Sequence, residues 1–150
     1  MIESELGKII RHIPGAGAAG GTGAALIGLL NETLQPGVDL VAELTQLARR
    51  ASKADIVITG EGCLDGQSAL GKAPVGVAKI ANAAGVPIIA IGGMLADDAS
   101  ILYEHGIGAM ESTVVRPCDG DDAMANARSN LLLASQRVGR WLKLTESLRL

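Results

Sequence analysis

Asp55-Ile-Val-Ile-Thr59, then Gly60-Glu-Gly-Cys-Leu-Asp-Gly-Gln-Ser68, then Pro74 at the head of Val75 to Ala84, is the stretch that decides the fold. The first run is β-branched and apolar, the pattern of a strand buried on both faces of a parallel sheet. The second is polar and punctuated by glycine, which reads as a loop. Pro74 suits the first position of a helix, where its missing N–H costs nothing, and Gly85 supplies the stop. Strand, loop and helix in that order predict the opening of a βαβ unit.

The alternation continues toward the C-terminus. Val86-Pro-Ile-Ile-Ala-Ile91 reads as a second buried strand, ending in Gly92-Gly93. Asp97-Asp98 can start a helix that reaches His105 and stops at Gly106; following a strand end they could face a site there, but capping is their expected work. Ala109 to Val115 predicts a third strand. Asp119 to Asp122 open a long helix in which Met124, Ala127, Leu131, Ala134, Val138 and Trp141 recur at helical spacing, a core or interface stripe. Upstream, Leu40, Val41, Leu44, Leu47 and Ala48 share one face of an amphipathic helix beginning at Val38. Ala24 to Leu34 is apolar on most faces and predicts a buried helix. Leu6, Ile9, Ile10 and Ile13 give helical spacing over Glu3 to Ile13. The fold class is therefore α/β, with a mainly parallel sheet covered on both faces and preceded by helices.

Composition narrows the function. The 150 residues hold 13 Lys+Arg against 16 Asp+Glu, a net charge of -3, and no Phe, with Tyr103 and Trp141 the only aromatic side chains. Neither a basic stripe nor a stacking platform is available, so no nucleic-acid partner is expected. The apolar stretch from Gly23 to Leu30 is too short to span a bilayer, so no membrane partner is expected either. The acidic start MIESELGK lacks the apolar core of a secretory signal. Cys63 and Cys118 are far apart, and His12 and His105 are the only histidines, so neither a disulfide framework nor a His-rich metal centre is implied. A cytoplasmic location is the expectation.

Ligands of open α/β sheets bind beyond the carboxyl ends of the strands, which makes Gly60 to Lys72 the first candidate site. It holds Glu61 and Asp65, then Lys72 just ahead of a helix. Two carboxylates supply hard oxygens for magnesium, and an ammonium near a helix N-terminus suits phosphate. Gly66-Gln-Ser-Ala-Leu-Gly-Lys-Ala73 is a near miss to the P-loop, lacking the hydroxyl at Ala73 that would meet the metal. Gly15-Ala-Gly-Ala-Ala-Gly20 spells the dinucleotide fingerprint, but Arg11-His-Ile-Pro14 offers no strand before it. Two readings of these glycines stand side by side: tight turns with close helix packing, or exposed N–H groups that bind an anion. Cys63 reads as a small loop residue, and Arg116 as a minor candidate for phosphate contact.

Three runs together carry a resemblance: Pro14-Gly-Ala-Gly-Ala-Ala-Gly-Gly-Thr-Gly-Ala-Ala25, Ala54-Asp-Ile-Val-Ile-Thr-Gly-Glu-Gly-Cys-Leu-Asp65 and Gln67-Ser-Ala-Leu-Gly-Lys-Ala-Pro74. In this order they resemble the bacterial glycerate kinase family, from about Ile10 to the last helix. The resemblance implies ATP-dependent phosphorylation of D-glycerate, usually to 2-phosphoglycerate, with magnesium. It implies a Rossmann-like three-layer sandwich over residues 38-150, and a glycine-rich loop with helices over residues 1-37 as the remnant of a second, incomplete domain. Glu61, Asp65 and Lys72 would be the catalytic group, with Asp65 and Glu61 serving the metal or the hydroxyl proton and Lys72 the phosphate charge. Gly15, Gly17, Gly20, Gly21, Thr22, Gln67 and Ser68 would bind substrate or phosphate. Family members carry Arg where this sequence has Cys63, and the match covers their C-terminal portion only. A catalytically inactive small-anion-binding fragment is the other reading. Apolar surface left uncovered in such a piece favours self-association, so a homo-oligomer is expected.

Overall fold

The computed structural model describes residue 5 and residues 7–147. The chain divides into two compact units, one ending at Gly37 and the other starting at Val38.

In the first unit the helix α1 spans Ala18–Leu30, but its opening is not helical: Ala19, Gly20 and Gly21 all have positive φ. Gly15 is also left-handed, and a Cβ on Gly23 would stand 2.3 Å from the Gly15 carbonyl oxygen. The glycine run is thus needed for a tight backbone reversal against the start of the helix. The helix stops four residues earlier than its apolar run suggests, because Asn31 takes the left-handed conformation and its N–H returns to Leu26 O. Lys8 Nζ ties this end down by donating to Gly28 O at 3.0 Å and to Asn31 Oδ1. The expectation that this helix is buried fails: Leu29 and Leu30 are exposed, and only Gly23 and Gly28 of the helix are buried. The helix expected over Glu3 to Ile13 lies partly outside the described residues, and from Gly7 to Ile13 the chain is irregular and turned.

The second unit carries the sheet. Its leading helix is broken in two, α2 over Gly37–Leu44 and α3 over Leu47–Ala51. The break is local: the Thr45 hydroxyl donates to Val41 O at 2.7 Å, and Gln46 is left-handed. Strands β1 (Val57–Leu64), β2 (Ile88–Leu95) and β3 (Ala109–Ser112) form a three-stranded parallel sheet in the order β1-β2-β3. A 3-10 turn over Gly66–Leu70 and helix α4 (Ala73–Ala83) link β1 to β2. A second 3-10 turn, Ala99–Tyr103, links β2 to β3. Helices α5 (Gly120–Ala125) and α6 (Ala127–Ser147) follow.

Strand β2 shows how the sheet is covered. Ile88 and Ala90 point to one core, with Val75, Ala78 and Ala81 of α4 and with Leu102 and Ile107. Ile89 and Ile91 point the other way, to Ala134, Val138 and Leu142 of α6. The period of two sorts alternate residues onto opposite faces, each covered by a helix, and the result is three layers.

Four expectations are corrected. Strands β1 and β2 run through the glycines read as loop or strand end, since Gly60 to Leu64 and Gly92 to Leu95 are paired strand. The glycines serve close approach of the chains: a Cβ on Gly60 would lie 2.8 Å from Ile91 O, and one on Gly93 2.4 Å from Gly62 O. The helix expected after Asp97-Asp98 is only the short 3-10 turn, and Asp98 makes no side-chain cap bond to it. Strand β3 ends at Ser112, whose hydroxyl accepts from Val114 N–H at 3.2 Å and so turns the chain. The last long helix is interrupted at Asn126, whose amide donates to Asp122 O and Oδ1, both at 2.9 Å.

Candidate active site

The carboxyl end of β1 delivers Glu61 in the strand and Asp65 one residue beyond it. Asp65 is the N-cap of the first 3-10 turn. Its Oδ1 accepts from Ser68 N–H at 2.8 Å and from the Ser68 hydroxyl at 2.9 Å, while Asp65 N–H donates to Ser68 Oγ at 3.3 Å. This reciprocal cap explains why the chain coils straight after the strand. Gly71, with φ of 96°, ends the turn and places Lys72 as the N-cap of α4.

Lys72 then reaches back over the turn. Its Nζ lies 3.3 Å from Asp65 Oδ1 and 4.0 Å from Glu61 Oε1. The structure therefore brings the trio expected from the sequence into one cluster. All three side chains are partly buried, between 24% and 35% exposed. Hydrogen bonds from Ser68 and then the Lys72 ammonium hold the Asp65 carboxyl below its ordinary value, against a smaller opposing effect of burial. Asp65 is accordingly a standing anion and a weak base. Glu61 differs: its Oε2 is buried and accepts no hydrogen bond. A buried carboxylate oxygen in that state lacks the donor, proton or cation that would balance it.

Ser68 is fully buried, and its hydroxyl is spent on Asp65, with a longer contact of 3.4 Å to Cys63 O. It orients Asp65 from beneath. Gln67 is exposed beside it. The P-loop-like run is coiled into the 3-10 turn, so it does not form an open cradle of N–H groups. Lys72 and the first turn of α4 nevertheless make a positive locus, since the helix N-terminus adds its partial charge to the ammonium. In the first unit, Gly15 and Gly17 precede α1, Gly20 and Gly21 lie in its non-helical opening, and the Thr22 hydroxyl donates to Ala19 O at 2.9 Å. Arg116 is exposed and pairs with Asp122 at 3.4 Å.

The donor chemistry at Glu61 and Asp65 fits a small, hard divalent cation. Magnesium is commonly held by one or two carboxylates with substrate phosphates completing its shell. Among the described residues no group of three or more His, Cys, Asp or Glu side chains gathers as a metal centre, so substrate oxygens would have to supply the rest.

Asp98, weighed from the sequence as a residue that could face the site, lies over the first 3-10 turn, so that a Cβ on Gly66 would come 2.5 Å from its Oδ2. One feature went unread in the sequence: an apolar cavity of about 560 Å³ opens beside Glu61, with Met94, Thr113, Asp119 and Met124 in its wall. Met94, directly after the Gly92-Gly93 pair at which the sequence suggests the strand ends, was the available signal for the cavity. No helix among the described residues is long and apolar enough to cross a membrane.

The chain is similar to known proteins. Residues 1–143 match the family model described as the glycerate kinase family. The chain is 48% identical to a glycerate kinase of Halalkalibacterium halodurans, over 97% of this chain and 39% of that protein. It is 38% identical to the glycerate 2-kinase of Escherichia coli, over 95% of this chain and 37% of that protein. A crystal structure assigned as glycerate kinase 2 from Salmonella typhimurium LT2 matches with a TM-score of 0.72 at 35% identity, covering 97% of this chain and 37% of that one. The chain thus spans well under half the length of the relatives it matches.

Proposed function

The chain belongs to the glycerate kinase family, and from that premise we propose that it carries the phosphoryl-transfer portion of an ATP-dependent kinase converting D-glycerate to 2-phosphoglycerate. The observation that supports this reading most is the convergence of Glu61, Asp65 and Lys72 at the carboxyl end of a parallel strand. Phosphoryl transfer asks the protein for positioning and charge stabilisation more than for covalent chemistry, and this cluster supplies both.

Lys72 and the N-terminus of α4 bind the phosphates and stabilise the charge on their oxygens. Asp65, kept ionised by Ser68 and Lys72, would hold magnesium. When bound, that ion would offset the negative charge of the two carboxylates and of the phosphates. A glycerate hydroxyl oxygen forms the new bond to the γ-phosphorus. The bond to the β,γ-bridging oxygen breaks, and ADP leaves with its electron pair. The hydroxyl proton passes to the Glu61 carboxylate, which Lys72 approaches only to 4.0 Å. Taken by itself, the Gly15 to Gly23 reversal of the first unit offers N–H groups suited to a carboxylate or a phosphate. The exposed Leu29, Leu30, Leu131 and Trp141 support self-association of this chain, which light scattering would read as a mass above the monomer.

A coupled assay with D-glycerate, ATP and magnesium tests the reading. Turnover supports it. Calorimetric binding of ATP without turnover supports instead a binding module that retains an anion site, and absence of both overturns the proposal. Lys72→Ala should chiefly raise the KM for ATP.

A further inference from the structure

Apart from Glu61, the lining of the cavity of about 560 Å³ has no part in the chemistry described above. It opens at the carboxyl ends of the strands, on the side of the sheet covered by α5 and α6. Its wall is mostly hydrocarbon, from Ile91, Met94, Ala123, Met124 and Leu131. Glu61 belongs to the same wall, and Glu61 is also the carboxylate standing 4.0 Å from Lys72. Cavity and charge cluster are therefore continuous through one side chain.

Size and chemistry select the occupant. Glycerate is a three-carbon acid bearing two hydroxyls. It would leave most of this volume empty and set its oxygens against methyl groups that cannot pair with them. Cavities of roughly 300–1,000 Å³ with apolar walls and few polar groups suit ligands with a large apolar body. In phosphoryl transfer from a nucleotide, the one such body is the heterocyclic base. We propose that this cavity receives the purine base of the nucleoside triphosphate, whose phosphates run past Glu61 to Lys72.

This assignment rests on the phosphoryl-transfer reading and adds the nucleotide's binding mode to it. Met94 and Met124 give it independent support. They are 55% and 77% exposed, an unfavourable setting for large apolar side chains, and both line the cavity. Thioethers pack well against the edges of aromatic rings. The chain has no Phe, and neither Tyr103 nor Trp141 lines the cavity, so methionine and isoleucine are the groups available to hold a flat ring. Thr113 and Asp119 give the wall its polar edge.

The test uses the full chain labelled with ¹³C at its methionine methyl groups, titrated with ATP and separately with inorganic tripolyphosphate. The ring current of a bound purine should move the Met94 and Met124 methyl signals. Met110, packed against the core beneath α4, should stay still. Tripolyphosphate should bind without moving either of the two. Ala127→Phe, which fills the cavity from an exposed helical position, should weaken ATP about tenfold or more and leave tripolyphosphate affinity unchanged. ATP binding that leaves both methyls unmoved, or equal methyl shifts with tripolyphosphate, overturns the cavity assignment alone. Failure of both ligands to bind the unaltered chain overturns the phosphoryl-transfer reading with it.

Discussion

Lys72 Nζ donates to Asp65 Oδ1 at 3.3 Å across a single 3-10 turn that Asp65 itself caps. The same oxygen therefore starts the turn and meets the lysine at its far end. Local chain geometry fixes both charges together, which separates the removal of a charge from the loss of the turn.

Asp65→Asn exploits that separation. Asparagine caps helical turns about as well as aspartate and keeps an oxygen for the Ser68 N–H, so the melting temperature should barely move. The charge is lost, and if Asp65 holds the metal and phosphate charges, kcat should fall about 100-fold or more. A thermal scan beside the coupled assay reads both quantities. A lowered melting temperature with full turnover would reassign Asp65 to structure.

Ser68→Ala tests how Asp65 is kept ionised. Ser68 is the largest contributor to the lowered Asp65 value, followed in the same direction by Lys72. Its removal should raise the Asp65 titration back toward the ordinary 3.8, seen in the carboxyl ¹³C shift. A group whose folded-state value is lowered stabilises the fold above its unfolded value, and that contribution is lost as pH falls through the folded value. Urea unfolding should thus show a stability deficit in the variant near neutral pH, part of it disappearing as pH falls below the ordinary carboxylate range. A deficit that does not change with pH would mean Ser68 acts only through packing.

Gly76 in α4 faces Val38 so closely that an added Cβ would lie 2.4 Å from Val38 Cγ2 and 2.8 Å from Cγ1. Alanine improves helix propensity by roughly 1 kcal/mol at such a position, but overpacking costs about 1–3 kcal/mol. Gly76→Ala should therefore be neutral to destabilising alone, and more favourable in a Val38→Ala background. Denaturant unfolding of the four variants gives the coupling, and strict additivity would show that the helix has shifted to make room.

The sequence revealed what depends on local pattern and concealed what depends on chain meeting chain. The β-branched runs at Asp55 to Thr59 and Val86 to Ile91 mark the strands, but only β2 is packed on both faces; β1, expected to be buried on both, is an edge strand with Ile58 52% exposed. Their extensions through Gly60 to Leu64 and Gly92 to Leu95 read as loop, since the reason for the glycines is a neighbouring backbone remote in sequence. The helix interruptions at Gln46 and Asn126 turn on side-chain bonds from Thr45 and Asn126 that compete with the helical pattern. At the site, the spacing of Glu61, Asp65 and Lys72 was readable as a motif. That Ser68 turns inward to Asp65, and that Met94 and Met124 share a cavity, required the packing of β1 to β3 against α5 and α6.

Arg137 shows how that packing is held. From α6 its Nε donates to Glu111 Oε1 at 2.6 Å, and its Nη2 donates to Ser112 O at 2.9 Å, at the end of β3. One guanidinium thus satisfies a half-buried carboxylate and the last carbonyl of the strand, a task for its forked donors that a lysine ammonium cannot match. Both side chains remain partly exposed, at 33% and 25%, so solvent screens the ion pair. Arg137→Ala should cost about 1–2 kcal/mol in urea unfolding, chiefly through the stranded Glu111 and Ser112 groups. Arg137→Lys should recover less than half of it. Glu111→Gln, which keeps an acceptor for Nε, should cost less than Arg137→Ala. Equal losses in Arg137→Ala and Glu111→Gln would mean that the charge pair, and not the anchoring of β3, is what α6 contributes here.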